Sequence, residues 1–293
     1  MRITFNASGH RRAAASAGLC IAALLLLAFS PGHPPATTNA APTADGVTFR
    51  STDDHTAGSQ IAKYEAGTAT VRYAAMASPA RSTVRGMDVS GHQGVVNWAG
   101  AYRSGARFTF IKATEGTTFR NPYFTQQYTG AANAGLLRSA YHFALPNRSG
   151  GAVQAGFFVA NGGGGAADGA TLPPVVDMEY NPYGAACYGL SKAAMVQWVK
   201  DFADTVHART GRWPTIYTST KWWSLCTGDR ADFSGTDALW VARYAPAVGQ
   251  LPYAWTRYTF WQYASTGPLT GAQNVFNGTY AALQAMAGSA SAA

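Results

Sequence analysis

The hydrophobic and polar positions from Arg85 onward alternate between short apolar runs and amphipathic stretches. Short apolar runs indicate buried strands, whereas apolar residues spaced three and four apart indicate helices. The pattern predicts strands near 86–90, 108–112, 140–144, 175–176, 215–218, 239–244, 258–263 and 274–276, and helices near 97–104, 123–134, 153–160, 192–209 and 279–286. Such alternation is typical of parallel strands with crossover helices. Because the helices belong mainly to the first five units, we expect an α/β fold, an incomplete TIM-like barrel.

The apolar run after Pro173 and Pro174 ends in two carboxylates, Asp177 and Glu179. Residues two apart on a strand point to the same face, and the strand rise places them roughly 6–7 Å apart. Each carboxylate raises the cost of ionising the other, so the more desolvated one should stay protonated towards neutral pH. The pair therefore predicts a general acid beside a second carboxylate. The alternative is a solvated Asp and Glu at a strand end.

In a barrel of this kind, active residues lie where strands end. Glycoside hydrolysis needs an acid for the leaving oxygen and a negative or nucleophilic group at the sugar carbon, and aromatic faces can hold the sugar rings. The candidates near strand ends are Asp88, Lys112, Glu115, His142, Arg243 and Gln262, with the aromatic residues Tyr141, Phe143, Tyr217, Trp240, Trp261 and Tyr263. For each aromatic residue the alternative is a place in the barrel core.

The amino-terminal third has a different composition. Three arginines within residues 1–12 precede an uncharged apolar run. This order predicts a secretory signal over residues 1–41, with an undetermined cleavage site. The alternative is a single membrane anchor. Residues 30–81 are rich in Ala, Thr, Pro and Ser, and we expect a disordered leader over residues 42–81. This leaves residues 82–293 for one barrel domain.

The charge balance and the cysteines indicate what class of partner the protein binds and which compartment it occupies. The formal net charge is +8, and from residue 82 onward 15 basic residues face 10 acidic ones, a modest bias that suits an anionic wall polymer better than nucleic acid. Cys187 and Cys226 should pair in an oxidising compartment. No zinc motif, GxGxxG or GxSxG pattern is complete, so we expect no metal, no cofactor and no serine nucleophile.

Several motifs in order resemble family 25 glycoside hydrolases, secreted lysozymes that cut the β-1,4 bond between N-acetylmuramic acid and N-acetylglucosamine. The segments that carry the resemblance are GMDVSGHQG at 86–94, FIKATEG at 110–116, AYHFA at 140–144, DME at 177–179 and FWQY at 260–263. The resemblance implies a flattened (β/α)5(β)3 barrel. It also implies that Glu179 is the general acid, with Asp177 as its partner and Asp88 as a further site carboxylate.

The resemblance also implies substrate contacts by the strand-end residues named above, a Cys187–Cys226 disulfide, and peptidoglycan as the partner of a secreted monomer. One position departs from the family, because Ala272 stands where similar sequences carry an aspartate. Asp237 or another loop acid would have to replace it.

Two other functions remain open at this stage. A chitinase-type enzyme also uses an Asp-x-Glu strand end, and a sugar-binding barrel would keep the aromatic residues without needing the acid pair. The reaction itself could retain the anomeric configuration with help from the substrate's acetamido group, or invert it with a water between the acids.

Overall fold

Eight strands close into a barrel in this computed structural model, which describes residues 52, 54–65 and 83–289. The expected signal over residues 1–41 lies outside the described residues. The barrel strands are β1 (Thr83–Val89), β2 (Phe108–Glu115), β4 (Leu137–Phe143), β5 (Val175–Asp177), β6 (Thr215–Thr218), β7 (Leu239–Ala242), β8 (Phe260–Ala264) and β9 (Ala272–Asn277), and a two-residue strand β3 (Phe119–Arg120) pairs with the end of β2.

The strand order shows how the barrel closes. Strands β1, β2, β4, β5, β6, β7 and β8 pair in parallel with their neighbours, and β9 lies antiparallel between β8 and β1. Parallel strands need long crossovers, and here five of these contain a helix. The expected barrel of five β/α units and three further strands is confirmed.

The helices are α1 (Ser59–Glu65), α2 (Trp98–Arg103), α3 (Phe124–Asn133), α4 (Gly151–Phe158), α5 (Lys192–Thr210), α6 (Thr220–Thr227) and α7 (Tyr280–Gly288). Helix α6 stands where the sequence pattern led us to expect loops. The side chain of Ser219 caps it by accepting a hydrogen bond from the Trp222 amide, and Trp222 and Trp223 are fully buried. Its buried residues share one face of the helix, so packing against the barrel stabilises a helix too short to be stable alone.

Aromatic side chains fill the interior of the barrel below the carboxyl ends of the strands. Phe110 stacks on Trp240 with ring centroids 4.2 Å apart, and it packs against Phe260 in a T-shaped arrangement with centroids 4.9 Å apart. Close-packed rings of this kind make a rigid floor, so polar side chains above them are held in fixed positions.

The disulfide between Cys187 and Cys226 is present, with the Cα atoms 5.3 Å apart. It joins the loop after β5 to helix α6, and its sequence separation is 39. The expected pairing is confirmed, and the bridge fixes the loop that leaves the Asp177 and Glu179 strand end.

Residues 54–65 differ from the disordered leader that composition led us to expect. They form a short loop followed by helix α1, and Ala57 and Ile61 are buried in the main hydrophobic cluster with the barrel strands. Order here comes from contacts with residues distant in the sequence, which composition and local periodicity do not report.

Candidate active site

The polar residues at the carboxyl ends of the strands meet above the aromatic floor. Asp177 is the last residue of β5, and Glu179 lies two positions further. Both side chains are fully buried, as are Lys112 and Gln262, and Asp88 is 2% exposed. The strand pattern therefore placed this group correctly at one end of the barrel.

Glu179 accepts hydrogen bonds on both of its carboxyl oxygens. Oε1 accepts the amide of Gly58 at 2.8 Å, while Oε2 accepts the amides of Gln60 at 2.8 Å and Ile61 at 2.9 Å. Burial raises the pKa of Glu179 to about 8, although these three amides act to lower it. A carboxyl group with a pKa near neutrality is suited to donating a proton.

Asp177 differs from Glu179 in its partners. Its two buried carboxyl oxygens have no hydrogen-bond partner among the described residues. Burial, followed by the neighbouring charge of Glu179, raises its pKa well above the ordinary value. Two adjacent acids in one desolvated site disfavour a doubly ionised pair, in agreement with the expectation from their spacing.

Asp88 is held by two amide side chains. Its Oδ2 accepts Nε2 of Gln262 at 2.8 Å and Nδ2 of Asn274 at 2.6 Å. Burial raises the pKa of Asp88 to about 6, and the two amides oppose that rise. The Oε1 of Gln262 also accepts the hydroxyl groups of Tyr217 and Tyr244, both at 2.7 Å. Gln262 thus fixes the carboxylate and two tyrosines with one side chain.

Lys112 and Glu115 form a buried ion pair with Nζ and Oε2 2.5 Å apart. Burial acts to raise the pKa of Glu115, but the charge of Lys112 and contacts with His55 outweigh it and lower the pKa to about 2. Burial acts to lower the pKa of Lys112, and the charges of Glu115 and Asp54 reverse this effect, so its pKa rises. Both groups are therefore ionised at neutral pH.

The predicted aromatic residues divide between two places. Tyr141, Phe143 and Tyr217 lie on the inner face of the barrel near the carboxylates. Trp240 also points inward, but it stacks on Phe110 and donates Nε1 to Asn274 at 2.8 Å. It belongs to the floor beneath Asp88, which is the core alternative stated for the aromatic residues.

Trp261 and Tyr263 point to the opposite face of β8 from Gln262, because side chains alternate along a strand. Their rings contact each other at 5.9 Å, and Trp261 donates Nε1 to the backbone oxygen of Arg243 at 2.8 Å. The side chain of Arg243 is exposed. These three residues therefore lie apart from the group around Asp177, and their contact with sugars stays a prediction.

Ala272 faces Asp88 across the β1 and β9 pairing, on the side of the inner carboxylates. Asp237 does not replace the absent acid, because it precedes β7 and lies at the amino end of the barrel, where burial raises its pKa to about 7. The additional carboxylate at the site comes from Asp54, whose Oδ1 lies 2.8 Å from Nζ of Lys112.

Sequence reasoning missed several residues at the site. Tyr244 and Asn274 bind the Asp88 group, and Tyr183 donates its hydroxyl to Glu115 at 3.1 Å. It also missed residues 54–65. Charged side chains are denser in residues 42–81 than in the chain as a whole, a signal that could have drawn attention to this segment.

Comparison with known proteins agrees with this geometry. The family model "Glycosyl hydrolases family 25" matches residues 87–272. An N,O-diacetylmuramidase of Chalaropsis sp is 47% identical over 209 residues, which cover 70% of this chain and 99% of the relative. Lysozyme M1 of Streptomyces globisporus is 45% identical over 211 residues, covering 70% of this chain and 72% of the relative.

Solved structures give the same result. The muramidase from Acremonium alcalophilum superposes with a TM-score of 0.69 at 53% identity and covers 70% of this chain and 99% of that one. A family GH25 lysozyme from Aspergillus fumigatus gives a TM-score of 0.70 at 46% identity, covering 71% of this chain and all of the other.

Proposed function

Since this chain belongs to glycosyl hydrolase family 25, we propose that it is an N-acetylmuramidase that cuts the β-1,4 bond between N-acetylmuramic acid and N-acetylglucosamine in bacterial peptidoglycan. The observation that carries the proposal is the buried pair of Asp177 and Glu179, with raised pKa values, at the carboxyl end of β5. Relatives named as muramidases and lysozymes support the substrate class.

Glu179 donates a proton to the leaving N-acetylglucosamine oxygen. Its raised pKa keeps the proton available at neutral pH, which is what a general acid requires. Once the bond breaks, Glu179 is the carboxylate that takes a proton from the incoming water.

Asp177 supports the 2-acetamido group of the substrate as its oxygen closes on the anomeric carbon. Its buried oxygens, without partners among the described residues, suit an acetamido N–H. This route forms an oxazolinium-type intermediate and retains the anomeric configuration, with inversion through an interposed water as the competitor.

Three groups around the acids shape the site. Asp88, fixed by Gln262 and Asn274, adds negative charge beside the sugar that becomes cationic. The ion pair of Lys112 and Glu115 supplies further polar contacts, and Tyr141, Phe143 and Tyr217 offer ring faces to the sugars. We propose substrate contacts for these residues, and for Trp240 a supporting position beneath Asp88.

Mass spectrometry of fragments released from purified wall tests the reaction. A muramidase leaves N-acetylmuramic acid at the new reducing end, whereas a chitinase-type enzyme acts on chitin and a sugar-binding barrel releases no fragments. Glu179→Gln should lower the rate by about 100- to 10,000-fold, the usual contribution of a general acid. Asp177→Asn should lower it less, because an amide still bonds the acetamido group. Proton NMR of the first product decides the stereochemistry: an initial α-anomer would rule out retention.

We further propose that the protein is secreted and acts as a monomer. Support comes from the basic and apolar order of residues 1–29 and from a disulfide, a bond that persists in oxidising compartments. Among residues 54–65 and 83–289, the structure has no helix long and apolar enough to cross a bilayer.

A further inference from the structure

Residues 54–65 lie directly against the reacting groups of the barrel. The amides of Gly58, Gln60 and Ile61 occupy both carboxyl oxygens of Glu179. These oxygens are where the leaving sugar oxygen would have to approach. The three amides fill three of the roughly four acceptor positions of the carboxylate, so the docked segment competes with the leaving sugar oxygen for Glu179.

The same segment also contacts Lys112 and Glu115, the buried ion pair of the site. Nζ of Lys112 donates to the backbone oxygen of His55 at 2.7 Å and forms an ion pair with the carboxylate of Asp54 at 2.8 Å, in addition to its contact with Glu115. The segment therefore surrounds this ammonium group with one backbone oxygen and one carboxylate. The backbone and ring of His55 also bind Glu115, at 3.0 and 2.8 Å.

The segment reaches the Asp88 group as well. Nε2 of Gln262 donates to the backbone oxygen of Ala57 at 3.1 Å. The backbone oxygen of Gly58 lies 3.2 Å from the hydroxyl of Tyr244, as a second acceptor beside Oε1 of Gln262. The amide of Ala57 donates to the hydroxyl of Tyr141 at 3.3 Å. The segment therefore occupies, in one conformation, polar groups of Glu179, Gln262 and Tyr141 that a sugar would otherwise contact, whereas Asp177 is left without a hydrogen-bond partner in the described residues.

A small cavity lies between the segment and the ends of β1 and β9. It is lined by residues 56–59 and 62 together with Asp88 and Ala272, and its volume is about 80 Å³. Ligand pockets usually measure about 300–1,000 Å³. At the two ends of the segment, the ring of His55 lies 5.4 Å from that of Phe143, and Tyr64 stacks on Tyr180 at 4.5 Å.

We propose that residues 54–65 are a built-in inhibitor, which keeps the cleft closed to peptidoglycan until the chain is cut between this segment and β1 and the segment leaves. The proposal rests on the muramidase function proposed above. It makes the full chain an inactive precursor, and it makes proteolysis of the connecting residues 66–82 the activating step. That step hydrolyses one peptide bond and requires only water and a protease.

Two observations separate an inhibitor from a structural part of the barrel. Among the described residues, the barrel closes through pairings of the strands β1–β9, and residues 54–65 contribute no strand to it. The Chalaropsis relative also aligns over 99% of its length while covering only 70% of this chain, so a related protein dispenses with a large part of what this chain contains.

Gly58 offers a specific way to expel the segment. Its φ is +86°, and a Cβ at this position would lie 1.9 Å from the hydroxyl oxygen of Tyr244 and 2.5 Å from Oε1 of Gln262. Gly58→Ala therefore conflicts with docking through both backbone strain and overlap, while leaving every barrel residue unchanged. Lys63→Ala is the matched control, because Lys63 lies on the exposed side of the same helix.

The first measurement is independent of catalysis. Hydrogen exchange followed by mass spectrometry should show protection of the peptide containing Gly58, Gln60 and Ile61 in the full chain and in Lys63→Ala, and loss of that protection in Gly58→Ala. Equal protection in all three proteins would overturn the proposal. If Gly58→Ala does not fold, the full chain cut with trypsin after Lys63, Arg72 and Arg81 and freed of fragments by gel filtration replaces it in the activity measurement.

The second measurement is release of muropeptides from purified wall. If the docked state leaves the cleft open in about one molecule in ten or fewer, release of the segment should raise the rate at least about tenfold. A synthetic peptide of residues 52–66 should inhibit the released enzyme competitively, and the same peptide with Gly58→Ala should not. The inhibitor role would be refuted if Gly58→Ala loses the protection but is only as active as the full chain, and the peptide does not inhibit. Loss of protection without activity in any protein would refute the muramidase function and leave the docking intact.

Discussion

Replacing Gln262 with methionine should shift the ionisation of Asp88 while changing the shape of the site little. In the structure Nε2 of Gln262 is one of two amide donors to Oδ2 of Asp88, at 2.8 Å. A hydrogen bond to a charged group contributes about 1.5–3 kcal/mol, and a shift of 1 in pKa corresponds to about 1.4 kcal/mol. Gln262→Met should therefore raise the pKa of Asp88, now about 6, by about 1 to 2.

The assay is a carboxyl-carbon NMR titration, with Asp88→Asn used to assign the signal. Gln197→Met is the control, because Gln197 donates to Asp201 on the exposed side of α5 and has no contact with the site. A stability cost should accompany the shift, since the hydroxyl groups of Tyr217 and Tyr244 lose their shared acceptor. An unchanged Asp88 midpoint in a folded variant would refute the claim that Gln262 controls this carboxylate.

Three further predictions use other parts of the structure. Replacing Cys187 and Cys226 with alanine should lower the free energy of unfolding by about 4 kcal/mol, the value of the chain-entropy model for a separation of 39. Urea denaturation with and without reductant measures this difference, and equal stability of the two proteins without reductant contradicts the prediction. Burial lowers the pKa of His142 to about 4, so as pH falls from about 6.5 to 4 only the unfolded chain gains a proton at this residue. The free energy of unfolding should therefore drop by up to about 3 kcal/mol over that range. His142→Gln should flatten this dependence of stability on pH in denaturation curves, and an unchanged dependence contradicts the assignment. Ala272→Asp, assayed on wall after release of the inhibitory segment, should raise the rate or leave it unchanged, whereas a large loss would mean that the site is built around alanine.

The barrel was predictable because its strands and helices follow local rules. The apolar run before Asp177 and the helix from Lys192 to Thr210, capped by Ser191, carry the periodicity of buried elements in the sequence itself. The position of the carboxylates follows from the parallel topology. A residue at the carboxyl end of one strand must lie near those of the neighbouring strands.

Other features depended on information that the sequence pattern lacks. Trp261 and Tyr263 were candidates for sugar contact as aromatic residues at a strand end, and that position does not tell which face of the strand each side chain takes. Residues 54–65 have few local signals, and their order comes from amides that meet Glu179 more than 110 positions later in the chain. Only the folded barrel brings these partners together.

The placement of β9 between β8 and β1 also sets the order in which the molecule can be completed. The first barrel strand has one of its two neighbours at the far end of the chain, and the register joins Thr83 to Asn277. Contacts of such long sequence separation slow folding, because the whole intervening chain must be brought together before the final pairing forms. A chain emerging amino end first from an export channel would therefore remain an open sheet until nearly its last residues are through. Shortening the protein before Asn277 would leave β1 with an unpaired edge, a surface that favours aggregation.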